Sequence, residues 1–144
     1  EEPSVRNFDS RSDIAQIEIL RLLINNAELV DKITLSLFDN KLCYNIVKCI
    51  KDNKGSYSNV AQLLELLGNS PEERNLVAEL AVDIPEKENE LIVLNDCIKT
   101  LEDISIKKEI SHIRHQIRIA EDNNQKLDIS LIRRLEELQK KLSQ

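Results

Sequence analysis

Glycine and proline are scarce in this chain, with two glycines and three prolines in 144 residues. Sandwiches and barrels need turn residues at short, regular intervals, so this scarcity argues against a turn-rich β fold. Tryptophan and methionine are absent, and Phe8, Phe38, Tyr44 and Tyr57 are the only aromatic residues. Any core must therefore be aliphatic, mostly Leu and Ile. Cys43, Cys49 and Cys97 make an odd count with no C-x-x-C pair, which argues against a disulfide framework or a zinc site. Each stands where a helical pattern calls for a small apolar group, so buried free thiols in a reducing compartment are expected. No apolar run approaches the roughly 18 residues that span a bilayer, and no signal-peptide pattern opens the chain. A soluble, cytoplasmic protein with no membrane partner is the expectation.

Catalytic signatures are missing as well. There is no Gly-rich phosphate loop, no G-x-S-x-G elbow and no Cys–His arrangement. His112 and His115, three apart on a helical pattern, could chelate zinc. However, no third ligand lies within a turn on their side and there is no HExxH, so neither a catalytic nor a metal residue is assigned.

What is present is charge, unevenly distributed. Residues 1–105 carry eleven Lys/Arg against twenty Asp/Glu, whereas residues 106–144 carry nine against six. An acidic body with a mildly basic tail suits a protein partner better than a nucleic acid, whose binding domain is usually basic throughout. The basic tail also contains no aromatic residue on which a base could stack, so at most weak nucleic-acid contact is expected.

Periodicity supplies the architecture. Residues 1–10 lack it and read as the end of a linker. From Asp13, the stripe Ile14, Ile17, Leu20, Ile24, widened by Leu23, predicts a helix ending at Asn25-Asn26. Short helices are expected around Glu28–Ser36 and Lys41–Lys51, then a loop turning at Gly55. A further helix near Asn59–Leu67 stops at Gly68, a residue suited to a left-handed cap. SPEE at 70–73 reads as a capping box, with Ser70 and Glu73 answering each other and Pro71 in the first turn, and this helix should run to about Val82. DIPEKE offers a similar start at Asp83 or Ile84.

From Glu86 to Glu121 there is neither Pro nor Gly. Leu94, Ile98 and Leu101 share one face. The phase then slips at Ile104 and Ile106, and a new stripe follows: Ile106, Ile110, Ile113, Ile117, Ala120. A slip means that the helix bends, breaks or changes the neighbour it packs on, and a boundary is placed near Ser105. After a polar gap, Asp128 is a plausible N-cap for a helix carrying Leu131, Leu135, Leu138 and Leu142 at heptad spacing. Glu136–Lys140 and Glu137–Lys141 have the favourable order for i,i+4 pairing. The fold class that follows is all-α. A compact multi-helix bundle at 11–105 is followed by a C-terminal antiparallel helical hairpin at 106–144.

The hairpin has apolar residues beyond those its seam requires. With Ile110, Ile113 and Ile117 inward, Ile119 falls on an outer, polar face, and Ile129 and Ile132 are surplus on the second helix. These isoleucines either close the hairpin tip on each other or pack on the body, or else form an apolar patch edged by cations. In the second case the candidate partner-binding residues are Arg114, His115, Arg118 and Ile119 on the first helix. The second helix adds Ile129, Ile132, Arg133, Arg134, Lys140 and Lys141.

The stretch LIVLNDCIKTLEDISIKKEISHIRHQIRIAEDNNQKLDISLIRRLEELQKKL resembles the C-terminal helicase-binding domain of a bacterial replicative DNA primase of Gram-positive type. LLINNAELVDKI, LFDNKLCYNIVKCI and SPEERNLVAELAVDIP fit the same family. The likeness covers the chain after about residue 10 and lies in the order of helical patterns, not in catalytic signatures. It implies a helical body and hairpin that dock on the N-terminal domains of the hexameric replicative DNA helicase. Such docking would couple RNA priming to unwinding and stimulate the helicase. It also implies that this part of the chain is not an enzyme and holds no cofactor. Zinc, divalent metal and nucleotidyl transfer would belong to upstream primase domains. The alternative is the related primase-binding N-terminal domain of the helicase itself. Against it, the chain ends on a charged hairpin at LSQ without a linker toward an ATPase domain.

Overall fold

A computed structural model describes residues 10–82 and 87–143. The expected linker end, apart from Ser10, and the helix start at Asp83–Glu86 lie outside the described residues. Six α-helices account for most of what is described: α1 Arg11–Asn25, α2 Lys41–Asp52, α3 Val60–Leu66, α4 Pro71–Ala81, α5 Glu90–Asp122 and α6 Ile129–Leu142. Among the described residues there is no strand, and the fold is all-α. Contacts divide the chain into two compact units, Glu1–Leu101 and Glu102–Gln144.

In the first unit, α1 is the hub, packing on α2 and α4. Its Ile17, Leu20, Leu23 and Ile24 are buried as the stripe requires, but Ile14 is 50% exposed, and Ala15, Ile19 and Leu22 are buried instead. A helix with neighbours on several sides loses its single polar face. The segment expected as a helix around Glu28–Ser36 is two 3₁₀ turns, Ala27–Lys32 and Leu35–Leu37. They bury Leu29, Val30 and Ile33 without completing an α-helical ladder.

Helix ends are fixed by local chemistry. Asn40 caps α2, its Oδ1 accepting from the amides of Leu42 (3.1 Å) and Cys43 (3.2 Å). Gln16, fully buried, ties this cap to α1. Its Oε1 accepts from the Asn40 amide at 3.0 Å, and its Nε2 donates to Asp39 Oδ1 at 2.7 Å. Asn59 caps α3, and Gly68 ends it in the left-handed region at φ 63°. Arg74 of α4 donates to the orphan carbonyl of Leu64 at 2.9 Å. The expected capping box at Ser70 is not formed. Ser70 occupies the N-cap position without a side-chain bond, and Glu73 instead accepts from Asn45 Nδ2 of α2 at 3.1 Å. A tertiary partner has taken the carboxylate that local pattern assigned to the helix start.

The helix α5 runs without a break from Glu90 to Asp122. Its phase slip is a change of neighbour. Leu94 and Leu101 are buried in the core of the first unit, whereas Ile110 and Ile113 are buried with Leu138 in a separate core in the second. Ile106, Ile117, Leu131, Leu135 and Leu142 pack around that second core, along the two heptad stripes.

Candidate functional site

The second unit is built around its turn. The helix α5 ends with Asn124 in the left-handed region at φ 55°. The amide of Gln125 donates to Ala120 O at 2.8 Å, and that of Asn124 to Glu121 O at 3.1 Å. This pair of bonds is a Schellman closure, with asparagine in the place glycine more often fills. Asp128 then caps α6, accepting from the Ser130 amide at 2.9 Å and from its hydroxyl at 2.6 Å. Those two bonds hold the Asp128 carboxyl below the usual carboxylate range.

One side of the hairpin is occupied by its own ion pair. Arg134 grips Glu109 with both ends of its fork, Nε to Oε1 at 2.9 Å and Nη2 to Oε2 at 3.2 Å, and also reaches Glu137 at 3.4 Å. The hydrogen bonds from Arg134 lower the Glu109 carboxyl, and Glu109 in turn raises Arg134. Arg134 is thus committed to joining α5 to α6. Glu137 meets Arg134 one turn back, in place of the i,i+4 partner Lys141 that the spacing favours.

A different side of α5 borders an open groove of about 540 Å³. Lys107, Arg114, His115 and Arg118 line it along α5, and Ile110 and Leu142 supply its apolar surface. Among the described residues, no carboxylate lines the groove. Among the described residues, the side chains of Lys107, Arg114 and Arg118 make no ion pair. At the turn end of the hairpin, Ile119 (43% exposed), Leu127 (39%) and Ile129 (64%) stand in solvent. Ile132 is half-buried, while Arg133, Lys140, Lys141 and His112 are exposed.

Of the ten residues expected to bind a partner, three come together in the groove: Arg114, His115 and Arg118. Ile119 and Ile129 share the tip, and Arg134 is engaged internally. Lys107 and Leu127 were not among the expected residues. Lys107 could have been found, since it lies seven before Arg114 and eleven before Arg118 on one helical face. Leu127 carries no such signal, because it stands in a loop where periodicity gives no orientation.

Elsewhere the chemistry is structural. Burial, with Asp13 and Asp39 nearby, pushes the Cys43 thiol up to about 12, and burial also raises Cys49 and Cys97. These are poor nucleophiles at neutral pH. Among the described residues, no group of three or more His, Cys, Asp or Glu could hold a metal ion, and no helix is long and apolar enough to cross a membrane. A second groove of about 540 Å³ lies between the N-termini of α2 and α4, but Glu72 and Glu73 border it and Asn40 already uses the α2 amides. No family model, curated protein or solved structure matches this chain.

Proposed function

We propose that this chain is the helicase-docking part of a bacterial replicative primase and that its hairpin seats on the N-terminal domains of the hexameric helicase. The resemblance in sequence supplies the partner. The observation that carries the reading is the hairpin itself, with an exposed aliphatic tip of Ile119, Leu127 and Ile129 and a groove whose cations make no ion pair among the described residues. Apolar anchors edged by arginine are the composition of a protein interface, in which buried aliphatic contact supplies affinity and the charged rim sets approach and register. In this reading the chain acts by tethering, through a hairpin sequence that carries no aromatic residue on which a base could stack. The parent primase would synthesise primers in the cytoplasm with zinc and divalent metal held in other domains.

The test is capture of the helicase N-terminal domains by the immobilised chain, followed by measurement of ATP hydrolysis and unwinding by the full helicase. Capture with raised hydrolysis is expected, and the chain alone should neither polymerise nucleotides nor bind single-stranded DNA tightly. Capture of a primase instead of a helicase would assign the chain to the helicase N-terminal domain. Polymerisation by the chain, or salt-resistant DNA binding without effect on a helicase, would overturn the proposal.

A further inference from the structure

The groove bordered by Lys107, Arg114 and Arg118 has a more specific shape than a basic patch. The three cations follow one line along α5, spanning about 16 Å at the helical rise. Half-buried Leu142 of α6 and the edge of the buried Ile110 supply the apolar surface of the same groove, and α6 also contributes Gln139. The geometry points to an acidic amphipathic helix of a partner protein as the occupant, laid along the hairpin so that three helices pack side by side. This rests on the docking reading above and deepens it by naming what the partner presents.

Four features select that occupant. Guanidinium groups that meet no carboxylate among the described residues are matched by carboxylates, which accept their paired N–H donors. Cations spread over three turns of one helical face are matched best by another helix, whose own acidic residues recur at three- and four-residue spacing. The partly exposed Leu142 on the α6 side of the groove gives a leucine or isoleucine of the partner a contact, a use that a phosphate backbone does not have. Strand addition would need an unpaired sheet edge, and docking of a polyproline segment a groove lined by aromatic residues; neither exists at this groove among the described residues.

The experiment uses the full chain and a fluorescent helical peptide of about 18 residues, with one leucine stripe flanked by glutamates. A twin with lysine for every glutamate and a single-stranded oligonucleotide of equal charge complete the set. Anisotropy should show the acidic peptide binding with Kd below about 100 μM, and the twin not binding. Amide shifts should move at 107–118 and 139–142, and the peptide's helicity should rise. The pair Arg114→Glu, Arg118→Glu should weaken binding about tenfold or more, while Lys32→Glu with Lys41→Glu, the same change in net charge outside the groove, should stay within about twofold. Circular dichroism checks that each variant is folded. Should the reversed pair melt early, Arg114→Gln with Arg118→Gln gives the same comparison without introducing repulsion.

Equal losses from both charge pairs would mean generic attraction and would overturn the proposal. So would tighter binding of the oligonucleotide at the same amides, or a dimer of this chain that the Arg114 and Arg118 changes dissolve. Helicase capture that fails while the peptide still binds would remove the docking proposal and leave the groove's ligand class standing. Peptide binding that fails while capture persists removes the groove assignment alone.

Discussion

Truncating Leu138 to alanine should melt the hairpin and leave the helical body folded. Leu138 is 1% exposed, and among the described residues only Ile110 and Ile113 are buried with it in the core of the second unit. Ile106, Ile117, Leu131, Leu135 and Leu142 pack around these three but keep part of their surface in solvent. Deleting a buried leucine to alanine costs about 2–5 kcal/mol, since the cavity adds to the lost transfer energy. A core this small cannot lose that much and remain formed. Hydrogen exchange read residue by residue is the suitable assay. Amides of 129–142 and of the second half of α5 should lose protection, while those of α1 and α2 keep it. Helicity should fall by roughly the 14 residues of α6 plus the end of α5. A single cooperative transition in which α1 and α2 lose protection together with α6 would refute the reasoning, because it would show the two cores to be energetically one.

Three further outcomes are expected. Gln16→Ala should cost about 1–3 kcal/mol in urea unfolding, because it leaves the Asn40 amide without its acceptor next to the α2 cap. Unchanged stability would show that water replaces the side chain freely. The hairpin should also lose stability in acid. Glu109 and Asp128 have lower carboxyl pKa values folded than unfolded, so their contribution is complete above the ordinary carboxylate range of about 4. It disappears as the pH falls through their lower folded values. The Glu109→Gln, Asp128→Asn double variant should flatten that dependence in α6 amide exchange, and an unchanged profile would assign it elsewhere. Finally, Ile129→Asp or Ile119→Asp should weaken helicase capture more than any single Arg114, Arg118 or Arg133 reversal, since desolvated anchors dominate interfaces. The reversals should mainly slow association and steepen with low salt. Charge changes that outweigh the isoleucines would make the tip incidental.

What the sequence by itself determined is everything decided within a turn or two of chain. The heptad stripes of the hairpin fall inward as written, Asp128 caps α6, and Gly68 ends α3, because periodicity and capping involve only near neighbours in sequence. The tertiary structure decided where two segments compete for one group. Glu73 leaves its own helix start for Asn45, and Glu137 pairs with Arg134, which is itself held by a carboxylate 25 residues away. It also decided which faces count as inside. Ile14 keeps to the α1 stripe yet stands in solvent, and α5 passes through its phase slip without a break because each half serves a different core. The groove belongs to the same class. Lys107, Arg114 and Arg118 share a face by spacing alone, but only the return of α6 places Leu142 and Gln139 beside them, since a hairpin partner contributes a surface that no pattern on one helix contains.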